Sequence, residues 1–233
     1  MIRLGKFLPL AAALIALCIS FTSCGTDHAQ VRYVHGSPDI PSLDVAVDGK
    51  TVVTDLAFGT VSPTSGYLPV DAGTRRVEMR DTGTTNDEIN STISFASGKA
   101  YTLIASGLQA QSNIAVVLLT DDLSAPTSGN IKLRITNVAP SIEAVLPDTI
   151  GRINIYIVAP GTDITGLSPT IPNLAYTQAS LYQEIAAGPV EVIVTKITDQ
   201  VPLADQTYNP ASGQNRTLLF LDTFALLELS DLN

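Results

Sequence analysis

Val31-Arg-Tyr-Val-His-Gly-Ser-Pro38, running on to Leu43-Asp-Val-Ala-Val-Asp-Gly49 and Thr51-Val-Val53, is the stretch that decides the fold. Val31, Tyr33 and His35 alternate with Arg32, Val34 and Gly36, the period of a strand with one face turned inward. Asp48-Gly49 sits between two β-branched runs, and a two-residue Asp-Gly loop predicts a tight hairpin because both positions tolerate positive φ.

The stretch then returns. Leu133-Arg-Ile-Thr-Asn-Val-Ala-Pro140 aligns with Val31 to Pro38, and Ile153-Asn-Ile-Tyr-Ile157 with Leu43 to Val47. Asn173-Leu-Ala-Tyr176 aligns with Asp55-Leu-Ala-Phe58, and Leu181-Tyr-Gln-Glu-Ile-Ala-Ala-Gly188 with Gly66-Tyr-Leu-Pro-Val-Asp-Ala-Gly73. Ser212-Gly213 with Thr217-Leu218 matches Ser97-Gly98 with Thr102-Leu103, and Phe224-Ala-Leu-Leu matches Ile114-Ala-Val-Val. These blocks keep one order at displacements of roughly 100–120 residues, a period of whole domains rather than of solenoid repeats. Turn signals recur about every 8–12 residues, and no apolar pattern of helical period lasts three turns after residue 24. The expected fold is all-β: two tandem immunoglobulin-like β-sandwich domains, over residues 31–123 and 131–233, joined by the small polar linker 124–130. Each half is expected to fold alone as a fragment.

Residues 1–23 read as a lipoprotein signal peptide: Arg3 and Lys6 precede an apolar run around Leu10-Ala-Ala-Ala-Leu-Ile-Ala-Leu17, too short to span a bilayer comfortably. The run ends in Phe21-Thr-Ser-Cys-Gly25, which resembles a bacterial lipobox, with Phe21 where Leu is usual. That resemblance makes Cys24 the lipidated residue, exposed by cleavage before it, with residues 24–30 as a tether. Cys18 and Cys24 are the only cysteines, so cleavage would leave one thiol, consumed by lipid, and no disulfide partner to seek. Gly25, in place of Asp, follows the pattern of outer-membrane sorting in a Gram-negative envelope.

Val31-Arg-Tyr-Val-His-Gly-Ser-Pro-Asp39 with Leu43 to Gly49, Leu56-Ala-Phe-Gly59, Gly66-Tyr-Leu-Pro69, Ala72-Gly-Thr74 and Gly98-Lys-Ala-Tyr-Thr102 resembles the bacterial domain of unknown function 4397. The likeness covers nearly all of residues 31–122, and the second half looks like a diverged copy, with Asn137 where the first has His35. The resemblance implies exported, often anchored, Ig-like modules and brings no catalytic residues.

The chemistry the residues can supply is thin. A net charge of −9 disfavours a nucleic-acid partner, which needs a basic stripe. Of the two histidines, His28 falls in the tether, and His35 stands near Ser37, Asp39 and Asp44 without the Gly-x-Ser-x-Gly elbow of a hydrolase. Zinc would need nitrogen and sulfur ligands that the processed chain lacks, whereas calcium needs only oxygens. Asp39, Asp44 and Asp48 cluster in sequence, as do Asp121 and Asp122, but no Asp-x-Asp-x-Asp-Gly loop is present and turn aspartates usually bond their own backbone. Phosphate-cradling glycine motifs are absent. Tyr67 and Tyr182, and Phe58 and Tyr176, invite a sugar-platform reading, yet repeat-matched aromatics among apolar residues, in a chain without Trp, read better as core.

The sequence therefore predicts a lipid-anchored envelope protein acting as a non-catalytic structural or binding module in adhesion, matrix or surface assembly. Its partners are the membrane, through the anchor, and a surface protein or polysaccharide; no cofactor, metal or catalytic residue is called for, and no binding residue stands out. The alternative is a small hydrolase or carbohydrate-processing protein, for which convergent titratable groups in a loop cleft would speak. The Thr- and Ser-rich loop Gly59-Thr-Val-Ser-Pro-Thr-Ser65 fits binding better.

Overall fold

A computed structural model describes residues 27–142 and 151–233. The signal peptide and Cys24 lie outside those residues. Seventeen strands occur among the described residues, and they divide as the repeat does.

In the first half, one sheet orders β4 (Val61–Ser62), β1 (His28–His35), β8 (Ala100–Ser106) and β9 (Ala115–Asp121), with β5 (Leu68–Asp71) also pairing with β1. The facing sheet orders β3 (Lys50–Ala57), β2 (Ser42–Val47), β6 (Gly73–Asp81) and β7 (Asp87–Phe95). The second half repeats the plan. One of its sheets runs β13 (Gln183–Ala186), β10 (Asn130–Asn137), β16 (Asn215–Phe220), β17 (Leu226–Leu232). The other runs β12 (Ile171–Ala175), β11 (Arg152–Val158), β14 (Val190–Lys196), β15 (Pro202–Tyr208).

Each half is thus a β-sandwich with its own core, Tyr33, Leu43, Met79 and Leu103 in the first and Ile135, Ile155, Val192 and Phe220 in the second. The strand order departs from the immunoglobulin expectation. An immunoglobulin sandwich pairs its first strand with its second. Here β1 lies parallel to β8, and β10 parallel to β16, while β2 and β11 belong to the opposite sheets. The turn after β1 is therefore a crossing between layers, and Gly36 fits it because a Cβ there would lie 3.1 Å from the Ala105 carbonyl oxygen.

Local rules hold where the sequence marked them. Asp48 and Gly49 both adopt positive φ (50° and 78°) at the β2–β3 hairpin. Asp55 and Asn173, at matched positions, each take φ 54° next to a register shift. Their N–H groups donate to the matched side chains Asp44 Oδ1 (2.9 Å) and Asn154 Oδ1 (3.0 Å). Such a polar acceptor offsets the cost of αL backbone, which is low for Asp and Asn.

Two features lie beyond the sequence reading. Strand β1 starts at His28, not Val31: His28 pairs with Asp71 and Ala29 with Val70, so the last residues assigned to the tether are sheet. The halves also share a third apolar core. Val34, Ile104, Val117 and Leu119 of the first half pack with Val138, Leu219, Leu221 and Leu229 of the second. Their sheets meet face to face, which leaves every residue of β8 buried. The linker is clamped as well: Lys132 Nζ donates to Asp122 Oδ2 (2.6 Å), and Asn215 Nδ2 to the carbonyls of Asp122 (2.7 Å) and Ser124 (2.9 Å). With both sandwiches contributing to one core, a lone half would expose an apolar face, so the expectation of independent folding gives way to one of coupled folding.

Candidate functional site at the seam between the halves

The seam carries a buried charge network with approximate two-fold symmetry. Arg32 on β1 donates through Nε to Thr102 Oγ1 (2.8 Å), through Nη1 to the Ser230 carbonyl (2.8 Å), and through Nη2 to Asp231. Arg134 on β10 does the same in mirror fashion, to Thr217 Oγ1 (3.0 Å), the Thr120 carbonyl (2.9 Å) and Asp121 Oδ1 (2.5 Å). Each arginine thus pairs with the carboxylate of the other half. The Thr102 and Thr217 hydroxyls donate hydrogen bonds to Asp121 (2.6 Å) and Asp231 (2.7 Å), and Tyr67 and Tyr182 donate to the same carboxylates at 3.0 and 2.9 Å. The tyrosine rings cover the guanidiniums, centroids 5.0 Å from Arg32 and 4.6 Å from Arg134.

All four charged residues are buried, and opposite charges cancel within the set. Burial pushes the Asp231 carboxyl upward against the opposing pull of Arg32, and burial likewise holds both tyrosine hydroxyls well above their ordinary range. Strand alternation alone cannot place Arg32 and Arg134, since their positions count as outward. A signal was nevertheless present: both copies put an arginine at the same point, between two inward apolar residues (Val31 and Tyr33, Leu133 and Ile135). Asp231 escaped the sequence reading altogether, and Asp121 entered it only as part of a calcium pair.

His35 is fully buried, with Nε2 3.0 Å from the Ile40 carbonyl and Nδ1 accepting from Ser37 N–H at 3.3 Å. Asn137 repeats both bonds: its Nδ2 donates to the Gly151 carbonyl (3.1 Å) and its Oδ1 accepts from Ala139 N–H (3.3 Å). The histidine and the asparagine are therefore two solutions to one turn. Burial lowers the His35 pKa, which keeps the ring neutral near pH 7. His35→Asn should cost under about 1.5 kcal/mol in denaturant unfolding, whereas His35→Ala, leaving two buried backbone groups without partners, should cost about 1–3 kcal/mol. Equal losses for both would show that ring packing, not hydrogen bonding, is what matters there.

The aspartates are dispersed among separate duties. Asp39 accepts from the N–H groups of Gln109 and Ala110, Asp44 from Asp55 N–H and Thr82, and Asp48 from Arg76 N–H and Arg75. Among the described residues no three His, Cys, Asp or Glu groups gather at one point. The Ser37 hydroxyl donates to the Gly107 carbonyl (2.6 Å), away from the His35 Nδ1 that its own N–H meets. The Gly59–Ser65 loop lines a cleft of about 20 Å³ beside Arg32 and Glu228, space for about one water molecule.

At the far end of the seam two open grooves repeat the pseudo-symmetry. Each combines a turn of one half with the last two strands of the other: Phe58 and Gly59 with Leu221 and Leu227 in one (about 340 Å³), Tyr176 and Thr177 with Ser106 and Val117 in the other (about 410 Å³).

No curated protein matches the chain. Solved structures of similar outline include an alpha-glucan-binding region of a streptococcal virulence factor, 10% identical, covering 85% of this chain and 95% of that one with a TM-score of 0.29. Another is a family 26 carbohydrate-binding module from Eubacterium rectale solved with maltoheptaose, 9% identical, covering 82% and 91%, TM-score 0.25. Scores so low give the likeness no bearing on this chain. The family comparison is of a different kind: it takes in residues 29–146, the whole first sandwich together with the linker and β10, and on that match the chain belongs to the family described as a domain of unknown function, DUF4397.

Proposed function

We propose that this chain is a lipid-anchored protein of a bacterial cell envelope, held at the outer membrane through Cys24, and that it works as a non-catalytic binding module for a surface protein or polysaccharide. The second half is on this reading a diverged copy of the family unit. The observation that supports it best is the use made of the reactive side chains. His35 does the hydrogen-bonding work of an asparagine, and the buried Arg, Asp and Tyr groups of the seam close on one another. What they build is one stiff body with loops and grooves at its end, the kind of rigid scaffold on which binding surfaces are carried.

The anchor has a direct test. Cys24→Ala should abolish incorporation of labelled fatty acid and release the protein from the membrane fraction; retention with unchanged labelling would dismiss the anchor. The module reading is tested by using the detergent-solubilised full chain as bait in native envelope extracts, where recovery of a saturable partner is expected. Turnover of ester, glycoside, phosphate or peptide substrates by the pure protein would replace it with the hydrolase alternative.

A further inference from the structure

The two grooves at the end of the seam share one backbone plan, so their differences isolate what the chain has altered. Phe58 is matched by Tyr176, Gly59 by Thr177, and Leu221 by Ser106. One groove is therefore mainly apolar, with Thr223 the one hydroxyl in its lining. The other sets the Tyr176 ring, Val117 and the exposed Leu118 beside the Thr177 hydroxyl and the Asn113 amide, with the buried Ser106 hydroxyl beneath them. Leu118 is 41% exposed, although its pseudo-symmetric position is the charged Glu228.

Three further observations bear on what fits there. First, the lining holds no carboxylate, ammonium or guanidinium, so an ionic ligand would find no counter-charge. Second, the polar groups are fixed in place. Ser106 Oγ donates to the Val138 carbonyl (3.2 Å) and lies 2.9 Å from Tyr176 Oη, so it positions the ring, while Asn113 Oδ1 accepts from Leu108 N–H (2.7 Å) and its Nδ2 donates to Gln111 Oε1 (3.0 Å). Third, Thr177 has φ 65°, where its counterpart Gly59 has φ 72° without strain. A β-branched residue in that region is a genuine outlier, and outliers of this kind concentrate at functional sites. It stands exposed at the rim of the groove.

We infer that the groove formed by Tyr176, Thr177, Asn113, Val117 and Leu118, over the buried Ser106, is the binding site of the module, and that it takes a neutral saccharide chain. A pyranose has a C–H face that lies on a ring and hydroxyls around its edge that meet the exposed Thr177 and Asn113, which is the division of this surface. The volume suits a short segment of such a chain, at the lower end of the range for ligand sites. Because Tyr176 and Thr177 come from the second half and the remaining residues from the first, the site exists only while the seam is closed. The inference rests on the binding-module reading proposed above.

The test measures binding of the detergent-solubilised full chain to soluble neutral polysaccharides (glycogen, mannan, xyloglucan) and to charged ones (heparin, alginate), by affinity electrophoresis and calorimetry. One or more neutral polymers should bind, and the charged ones should not. Tyr176→Ala should weaken binding roughly tenfold or more, as loss of a central anchor does, and Thr177→Gly, at the rim, should weaken it measurably. Thr177→Gly relieves the backbone, so its melting temperature should hold or rise and a loss of binding cannot be laid to unfolding. Phe58→Leu, in the apolar groove, should leave affinity unchanged. Binding that survives both groove variants, that Phe58→Leu abolishes, or that an uncharged peptide competes away would overturn the assignment. So would failure of every neutral polysaccharide to bind. The module reading fails separately, on an envelope bait experiment that recovers nothing.

Discussion

Arg134→Met should destabilise the chain by about 3–5 kcal/mol, a drop in melting temperature of roughly 6–20 °C at this size. The substitution leaves the Asp121 carboxylate, its side chain wholly buried, without its closest cation; Arg32 Nη2 remains 3.5 Å away from Oδ2, already committed to Asp231. Arg32→Met should cost a similar amount, because Asp231 then stands in the same position by pseudo-symmetry. Replacing both arginines and both aspartates with well-packed apolar residues should recover most of the loss, since buried ion pairs seldom outweigh their own desolvation. Chemical denaturation monitored at two salt concentrations checks this. The Arg134→Met deficit should be nearly the same in both, as buried charges are poorly screened. A loss under about 1 kcal/mol, or one erased by salt, would mean that water reaches the network.

Leu219→Asp is expected to separate the two sandwiches. Leu219 is fully buried in the core they share, facing Val34, Ile104 and Val117 from across the seam. Leu219→Ala alone should cost about 2–5 kcal/mol through lost burial and the cavity left behind. The aspartate adds an unpaired buried charge, relieved only if the sheets part and admit water. Calorimetry of the wild-type chain should show a single cooperative transition, and that of Leu219→Asp two overlapping transitions at lower temperature with increased binding of a hydrophobic dye. Two resolved transitions already in the wild type would show that the halves unfold independently and that the shared core is weak.

The repeat and the hairpin were legible because they are local. Asp48-Gly49 sets its own turn, and period-two alternation marks Val31, Tyr33, Leu43 and Val45 as inward whatever surrounds them. What alternation cannot reveal is the fate of the other face. Arg32, Val34, Thr102 and Ile104 occupy positions that a single sandwich would give to solvent, and all four are buried against the second half. That information is non-local, carried by residues on β16 and β17 more than a hundred positions away. Parallel pairing of β1 with β8 is likewise invisible in either strand alone, although strands buried on both faces are typical of parallel neighbours. The tyrosines illustrate the same limit. Tyr67 and Tyr182 were assigned to a core for their repetition, whereas each rests on a guanidinium and reaches a carboxylate.

On the anchoring proposed above, a strand β1 that begins at His28 would give the body a direction relative to the bilayer. With Cys24 acylated, four residues, Cys24 to Asp27, separate the lipid from the sheet, and fully extended they reach about 14 Å. The base of the first sandwich, with His28, Asp71 and Gly98, is then held close against the headgroups. Strand β1 climbs from there for eight residues, about 26 Å, and β10 leaves the linker at the same level and rises alongside. Their upper ends, His35 and Asn137, receive the N–H groups of Gly59 and Thr177, the turns that frame the two grooves. On the proposed anchoring, the two parallel uprights β1 and β10 would aim both grooves away from the membrane, at a height set by strand length.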